Sequence, residues 1–295
     1  MIRKIIYSGI IGVFLSACIK PVDIELPVHE SKLVINSFLS YGDSIKVHVS
    51  KSVGQMEYLQ PSLSLATVVV KTGSLSDTLL FGKDGWYHSE WIAASNTIYQ
   101  IDVNTQEFEN VLAQDTVPGL VDFDLENFIA RTAVDDMGNF FSSVDIVIDD
   151  DLKEDKFYEI YYQNHDRVRR VDASINGSGI RSKTKEIVEQ VDDKTMGTLL
   201  FLNEPFQGKS ELRLNVEYVY SNNIDSVSIW VRALSEEYFK YKKSMNKHTW
   251  GQLTDDIWGG YDIYPLYSNI DNAYGVVAAY AENKKSIYTY SPLEP

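Results

Sequence analysis

Short segments in which every second residue is apolar recur along most of this chain, and clusters of turn-forming residues separate them. Ile45, Val47 and Val49 alternate with Lys46 and His48, which is the pattern of a strand with one buried face. Many short strands at this spacing are typical of β-sandwiches. The sequence therefore predicts a mainly β protein.

A break in this pattern divides the chain. Val117-Pro118-Gly119 interrupts the strand-like segments, because proline cannot donate to a sheet and glycine favours turns. We expect two tandem β-sandwich-like domains: an immunoglobulin- or transthyretin-like sandwich over residues 32–118, and a second β-rich domain over residues 119–295. The polar stretch 163–198 contains Asn176-Gly177-Ser178-Gly179, which predicts a long loop or hairpin in the second domain.

One segment has helical instead of strand periodicity. Leu234, Tyr238 and Tyr241 recur at the spacing of one helix face. Ser235 is a residue that caps helix N-termini, and acidic residues follow it where the helix dipole favours them. The sequence predicts one α-helix over about residues 234–247, packed on the second β domain.

The single cysteine, Cys18, ends the sequence Leu15-Ser16-Ala17-Cys18. A short apolar run led by Arg3 and Lys4 precedes it, and the arrangement resembles a bacterial lipoprotein signal, which is cut just before the cysteine. The run is shorter than the roughly 20 residues that a spanning helix needs. Leu15 also suits a lipoprotein signal better than the A-x-A-like site of plain secretion. Plain secretion and a buried core segment are the alternatives.

The lipoprotein interpretation gives a signal peptide over residues 1–17 and a lipidated tether over residues 18–31. We expect acyl chains, palmitate among them, on Cys18 and an anchor in the cell envelope, at the outer membrane, on either its periplasmic or its surface face. Two or more chains would anchor the protein durably, since each buried methylene contributes about 0.8 kcal/mol. A lipidated thiol is not available as a nucleophile.

Charge excludes one class of partner. The chain has 27 basic and 42 acidic residues, a formal net charge of −15. Nucleic-acid binding needs a basic face, so we expect no nucleic-acid partner. The apolar content of 44% is ordinary for a folded protein and supplies a core without disulfides.

Motifs of catalysis are absent from the sequence. It contains no H-E-x-x-H, no G-x-S-x-G and no P-loop, and its five histidines do not fall at metal-ligand spacings. We predict no catalytic residues, no cofactor and no zinc site. A calcium candidate is the acidic segment with Asp149, Asp151 and Asp155, whose alternative is a charged turn between strands. The paired carboxylates of a glycan-active enzyme leave no spacing signature.

An aromatic-rich stretch near the C-terminal end is the candidate surface for a ligand or a partner. Exposed aromatic rings beside amides suit sugar stacking or a protein contact, so a glycan or a peptide is the expected ligand. The alternative is that these rings cover the edge of the second core. The candidate residues are Trp250, Trp258, Tyr261, Tyr264, Tyr267 and Asn269.

The order of these segments resembles a family. Cys18, the helix segment Leu234–Met245 (LSEEYFKYKKSM) and the segment Tyr264–Tyr280 (YPLYSNIDNAYGVVAAY) together resemble the uncharacterised lipoproteins of Bacteroidota of the DUF4249 type. These lipoproteins are often encoded beside TonB-dependent outer-membrane receptors. The resemblance implies a non-enzymatic accessory or binding component for nutrient uptake, with such a receptor as partner. A structural or adhesive surface module and a glycan-active enzyme are the alternatives.

Overall fold

The fold consists of three β-sheets and one long helix. The computed structural model describes residues 29–54, 61–136, 138–166, 172–173, 179–188, 198–220, 224–253 and 264–288. The predicted signal peptide, Cys18 and most of the predicted tether lie outside the described residues. The mainly β class predicted from the sequence is confirmed.

The strands, in chain order, are β1 (Leu33–Ser40), β2 (Ser44–Lys51), β3 (Thr67–Thr72), β4 (Leu75–Thr78), β5 (Leu80–Phe81), β6 (Trp86–Ile92), β7 (Thr97–Asn104), β8 (Val111–Val117), β9 (Asp122–Val134), β10 (Phe140–Asp149), β11 (Phe157–Asp166), β12 (Asp172–Ala173), β13 (Ile180–Ser182), β14 (Thr198–Leu202), β15 (Leu212–Tyr220), β16 (Ile224–Leu234) and β17 (Tyr274–Tyr288). The helices are α1 (Lys185–Val188), a 3₁₀ turn (Glu204–Phe206) and α2 (Glu236–Leu253).

One large sheet serves both halves of the chain. Its nine strands pair in the order β12-β11-β16-β17-β1-β2-β6-β5, and β14 also pairs with β11. Two four-stranded sheets, β4-β3-β7-β8 and β13-β15-β10-β9, pack against one face of it. The result is two sandwiches that share a sheet.

The first core contains the alternating residues that the sequence predicts. Ile45, Val47 and Val49 of β2 are buried, and Tyr99 and Ile101 of β7 face them from the small sheet. His48 lies on the polar face of β2, where its Nε2 contacts the carbonyl of Asp84 at 3.0 Å. The period-two pattern therefore identifies the buried face correctly.

The second core forms in the same way from the second half of the chain. Tyr158, Ile160 and Tyr162 of β11 pack against the inner face of the sheet that contains Val144 and Ile146 of β10. Because alternate residues of both strands are buried here, the two sheets enclose an apolar core between them.

The C-terminal strand β17 belongs to both cores. It runs parallel to β1, with Val34 opposite Tyr274, and antiparallel to β16. Val277 and Ala279 are buried in the first core, and Ile287 packs against the second. The division of the chain into domains at residue 118 stays a prediction; the structure shows that the large sheet is continuous across it.

Helix α2 lies on the opposite face of the large sheet from both small sheets. Tyr238 is buried there against Val276 and Ala278, and Phe38 contacts the rings of Tyr238 and Tyr241. The predicted helix is confirmed, but its bounds differ. Leu234 is the last residue of β16, and the helix continues to Leu253.

Residues 163–198 are more structured than the predicted loop. Their described part includes the end of β11, the short strands β12 and β13, and α1. Ile180 and Ile187 are buried in the second core, because the chain returns there to add a strand beside β15. Polar composition alone did not reveal these two apolar contacts.

Candidate functional site

A cleft of about 740 Å³ opens where the two sandwiches and the start of α2 meet. Its walls come from the end of β8, the link Pro118–Leu120, the segment between β10 and β11, and the first turn of α2. A shallower groove of about 450 Å³ adjoins it and shares Asp115, Thr116 and Glu237 with it. We take these two connected cavities, named here the junction cleft, as the candidate functional site.

Asp115 connects the first sandwich to the helix at the floor of the junction cleft. It lies on the core-facing side of β8, where Val111, Ala113 and Val117 are buried, and it is itself only 9% exposed. Ser235 Oγ donates to Asp115 Oδ2 at 2.5 Å, and the Thr116 amide donates to Oδ1. Burial raises the pKa of Asp115 to about 6, although both hydrogen bonds oppose the shift.

Ser235 is the N-terminal cap that the sequence predicts for the helix. Its Oγ accepts from the Tyr238 amide at 3.1 Å and from the Ala279 amide at 3.2 Å. Its own amide donates to the Ala279 carbonyl. One hydroxyl thus joins α2, β17 and Asp115, which fixes the start of the helix at the junction cleft.

Glu237 forms the wall beside Asp115. Tyr267 Oη donates to Glu237 Oε2 at 2.5 Å, and Lys240 Nζ lies 3.5 Å from Oε1. Burial, followed by the hydrogen bond to Glu237, raises the pKa of Tyr267 to about 12. Tyr267 therefore keeps its proton at neutral pH and holds the Glu237 carboxylate in place.

Asp150 lines the junction cleft from the segment between β10 and β11. Tyr158 Oη donates to Asp150 Oδ2 at 2.6 Å, and Lys156 forms an ion pair with Oδ1. Burial and the contact with Asp150 raise the pKa of Tyr158 far above its ordinary value. The second core thus supplies a fixed carboxylate to the junction cleft, as the first does through Asp115.

An ion-pair cluster beneath α2 holds the helix on the large sheet. Glu159, Arg232 and Glu282 stand opposite one another on three neighbouring strands. Glu159 is fully buried, and it accepts from Arg232 Nη1 at 2.9 Å while Lys242 Nζ of α2 lies 2.8 Å from its other oxygen. Burial raises the pKa of Glu159, but Lys242 and Arg232 outweigh it and lower the pKa below its ordinary value.

The charge of the junction cleft is strongly negative. Among the residues that line its larger part, six are acidic and one is basic. The acidic ones are Asp115, Asp150, Glu154, Asp155, Glu236 and Glu237, and the basic one, Lys156, is already paired with Asp150. Carboxylates on converging walls attract cations and repel anions, so this site favours a positively charged ligand.

The predicted aromatic surface lies partly beside this site. Tyr267 and Asn269 line the shallower groove of the junction cleft. Asn269 exchanges hydrogen bonds with the Val277 backbone, so its amide holds the loop on β17. Tyr264 is exposed, and its carbonyl contacts His248. Trp258, Tyr261 and the side chain of Trp250 lie outside the described residues.

The three acids of the calcium candidate do not converge. Asp151 accepts from the Lys153 amide, and Asp155 accepts from Gln207 Nε2 at 2.7 Å, whereas Asp149 ends β10 at an exposed position. Across the described parts of the chain, no three histidine, cysteine or acidic side chains are grouped to hold a metal ion. No described helix is both long enough and apolar enough to span a bilayer.

Sequence reasoning missed Asp115 and Asp150 as site residues. A sequence signal for Asp115 did exist. This residue occupies the same face of an alternating strand as Val111, Ala113 and Val117, and that apolar face is the one that packs on the core. A charged residue on a buried strand face needs a partner, which is a reason to look for one. Asp150 had no comparable signal, because it follows one acid and precedes another in a turn.

Comparison with solved structures gives only remote similarity. The chain is 9% identical to a Salmonella alpha-2-macroglobulin mutant over 74% of its length, with a TM-score of 0.23, and spans 14% of that protein. Trypsin-activated alpha-2-macroglobulin from Escherichia coli gives 12% identity, 72% coverage and a TM-score of 0.22, and the chain spans 15% of it. A Corynebacterium diphtheriae protein described as membrane anchored gives 9% identity, 85% and 60% coverage and a TM-score of 0.20.

These TM-scores support no conclusion about fold or activity. No curated protein matches the chain significantly. A family model described as "Domain of unknown function (DUF4249)" matches residues 19–286, which is nearly the whole chain. The predicted family is thereby confirmed: the chain belongs to the DUF4249 family.

Proposed function

We propose that this protein is a lipid-anchored, non-enzymatic component of the cell envelope that binds a positively charged ligand or partner segment in the junction cleft. The observation that carries the proposal is the cleft itself, about 740 Å³ lined by six carboxylates and one paired lysine. Both sandwiches and the helix contribute to its walls, so an occupant contacts all three parts at once. A volume of this size suits a peptide segment or a small molecule.

The expected partner is an outer-membrane TonB-dependent receptor, and the expected role is assistance in nutrient capture or import. Support for this part comes from the resemblance to receptor-linked lipoproteins and from the signal ending at Cys18. A lipid on Cys18 would hold the cleft close to a receptor in the same membrane, which raises the effective concentration of each for the other.

The alternative function is a glycan-active enzyme, which needs two carboxylates in one cleft. Asp115 and Glu237 both line the junction cleft. However, both oxygens of Asp115 accept hydrogen bonds from Ser235 and Thr116, and Glu237 accepts from Tyr267. Carboxylates engaged in this way stabilise the start of α2. We therefore assign them a binding and structural role.

The test is affinity purification of the tagged, lipidated chain from solubilised outer membranes. A cleft variant, Asp155→Lys with Glu236→Lys, reverses two exposed acids of the cleft wall. The matched control, Asp43→Lys with Glu90→Lys, makes the same change of net charge at exposed positions of the first sandwich. We expect a partner to be recovered with the wild type and the control and lost with the cleft variant.

The same preparation tests the anchor. Cys18→Ala should release the protein from membranes and abolish labelling by fatty acid. A wild-type chain that is always recovered alone, or equal recovery with both charge variants, would contradict the proposed binding role. Partner recovery should also fall at high salt, because charge pairs at an exposed cleft are screened.

A further inference from the structure

The chain enters the first sandwich at one end of that sandwich, defined here as the tether end. His29 Nε2 contacts Ser52 Oγ at 2.9 Å, and the Lys32 amide donates to the same oxygen. These contacts place the start of β1 beside the end of β2. The segment from Cys18 to His29 contains eleven peptide steps and spans at most about 40 Å when fully extended.

Loops from both sheets of the sandwich meet at the tether end. The Leu63 amide donates to the Val49 carbonyl, and the Val49 amide donates to the Gly85 carbonyl. Lys51 Nζ bridges to Glu107 of the loop after β7 at 3.1 Å. The segments 61–66, 82–85 and 105–108 therefore form one surface around the point where the tether arrives.

This surface exposes large apolar and aromatic side chains. Leu65 is 83% exposed, Trp86 is 39% exposed and Tyr274 is 46% exposed. Lys32 Nζ lies 5.1 Å from the centre of the Tyr274 ring, and the Trp86 ring packs at 5.1 Å against His48. Tryptophan, tyrosine and lysine beside an exposed aliphatic residue are the composition of proteins at the level of lipid headgroups.

Local charge also distinguishes the tether end. Lys32, Lys51 and Lys83 lie here with four acidic residues, Glu30, Asp84, Glu107 and Glu109, so this end carries little of the net charge of −15 of the whole chain. A strongly acidic surface is repelled by anionic lipid headgroups, and a weakly charged one is repelled much less. The orientation that brings this end to the bilayer therefore turns most of the acidic surface away from it.

We propose that the tether end of the first sandwich rests on the lipid surface, with Leu65, Trp86 and Tyr274 at the level of the headgroups. The proposal rests on lipidation of Cys18, which is part of the proposed function. The occupant is the bilayer that holds the acyl chains, because the tether joins the sandwich at this end. The junction cleft lies at the opposite end of β8 from the tether end, so it then faces the aqueous side.

The test places one fluorescent reporter at each end of the first sandwich. In the lipidated protein Cys18 is blocked, so Leu65→Cys or Leu75→Cys supplies a single reactive thiol. Leu75 is the matched control, since it is also exposed and follows β3 at the end remote from residues 61–66. A polarity-sensitive dye is attached to each, and the proteins are reconstituted into vesicles of phosphatidylethanolamine and phosphatidylglycerol.

We expect the Leu65→Cys reporter to shift its emission to shorter wavelength and to be quenched by brominated lipids, while the Leu75→Cys reporter keeps the emission of a dye in water. If both dyes emit as they do in water although the protein sediments with the vesicles, the proposed orientation is wrong and the lipid anchor stands. Equal quenching of both reporters would also overturn the proposed orientation. Protein that fails to sediment would overturn the anchor and this orientation together, and sedimentation distinguishes the two cases.

Discussion

Asp115 is a carboxylate on the buried face of β8, and its environment makes it sensitive to pH. Its pKa is raised by burial from 3.8 to about 6. The folded state therefore binds a proton more tightly than the unfolded state does between these two values. The stabilisation that comes from this protonation is complete below pH 4 and is lost as the pH rises through 6.

Asp115→Asn tests this dependence. We expect the difference in free energy of unfolding, wild type minus variant, to decrease by up to about 3 kcal/mol between pH 4 and pH 7, since one pKa unit corresponds to about 1.4 kcal/mol. Urea denaturation at several pH values measures it. Parallel pH profiles for the two proteins would show that Asp115 titrates in the folded state as it does in water.

At the scale of the element, the pairing of β17 with β1 depends on a single glycine. Gly275 has a φ of +104°, and a Cβ at this position would lie 1.9 Å from the Ile35 carbonyl oxygen. The two backbones approach more closely than any side chain allows. β1 therefore accepts β17 as a neighbour only while position 275 has no Cβ.

Gly275→Ala should consequently separate the two strands locally and destabilise the protein by several kcal/mol. The matched control is Gly138→Ala, because Gly138 also has a positive φ, +82°, but a Cβ there would meet nothing within 4 Å. We expect the control to lose only about 1–2 kcal/mol, the cost of the left-handed conformation. Thermal and urea denaturation of both variants compare them, and equal losses would contradict the steric explanation.

Some elements of this fold can be predicted from local sequence signals and others cannot. Period-two alternation in β2 predicted which residues are buried, and Ser235 predicted where α2 begins, because both signals are local. The N-terminal half of β17 has no such alternation. Val276, Val277, Ala278 and Ala279 are all buried, since this strand is covered on both faces, by the first core and by α2.

The junction cleft could not be predicted for a related reason. Its walls come from segments far apart in sequence, and they meet only because the large sheet continues across both halves. The aromatic stretch identified two residues that line the shallower groove of the cleft, Tyr267 and Asn269, through composition alone. Asp115 can be identified as a site residue only from the fold, which brings Ser235 within hydrogen-bond distance of it.

At the scale of the whole molecule, the shared strand predicts that the two sandwiches unfold together. Because β17 packs in both cores, loss of this strand would open both of them. We therefore expect each half to need the other for its stability. We expect one cooperative transition in urea, coincident for a probe near Trp91 in the first half and one near Trp230 in the second. Two separated transitions would show instead that the halves fold as independent domains.

The partnership between β1 and β17 has a further consequence for biosynthesis. The two strands are separated by about 240 residues, so at 5–20 residues per second the ribosome needs roughly 10–50 s to complete the second after the first. Throughout that time β1 has an open edge on which unrelated strands can pair. The N-terminal third of the chain is therefore open to mispairing until its last strand arrives.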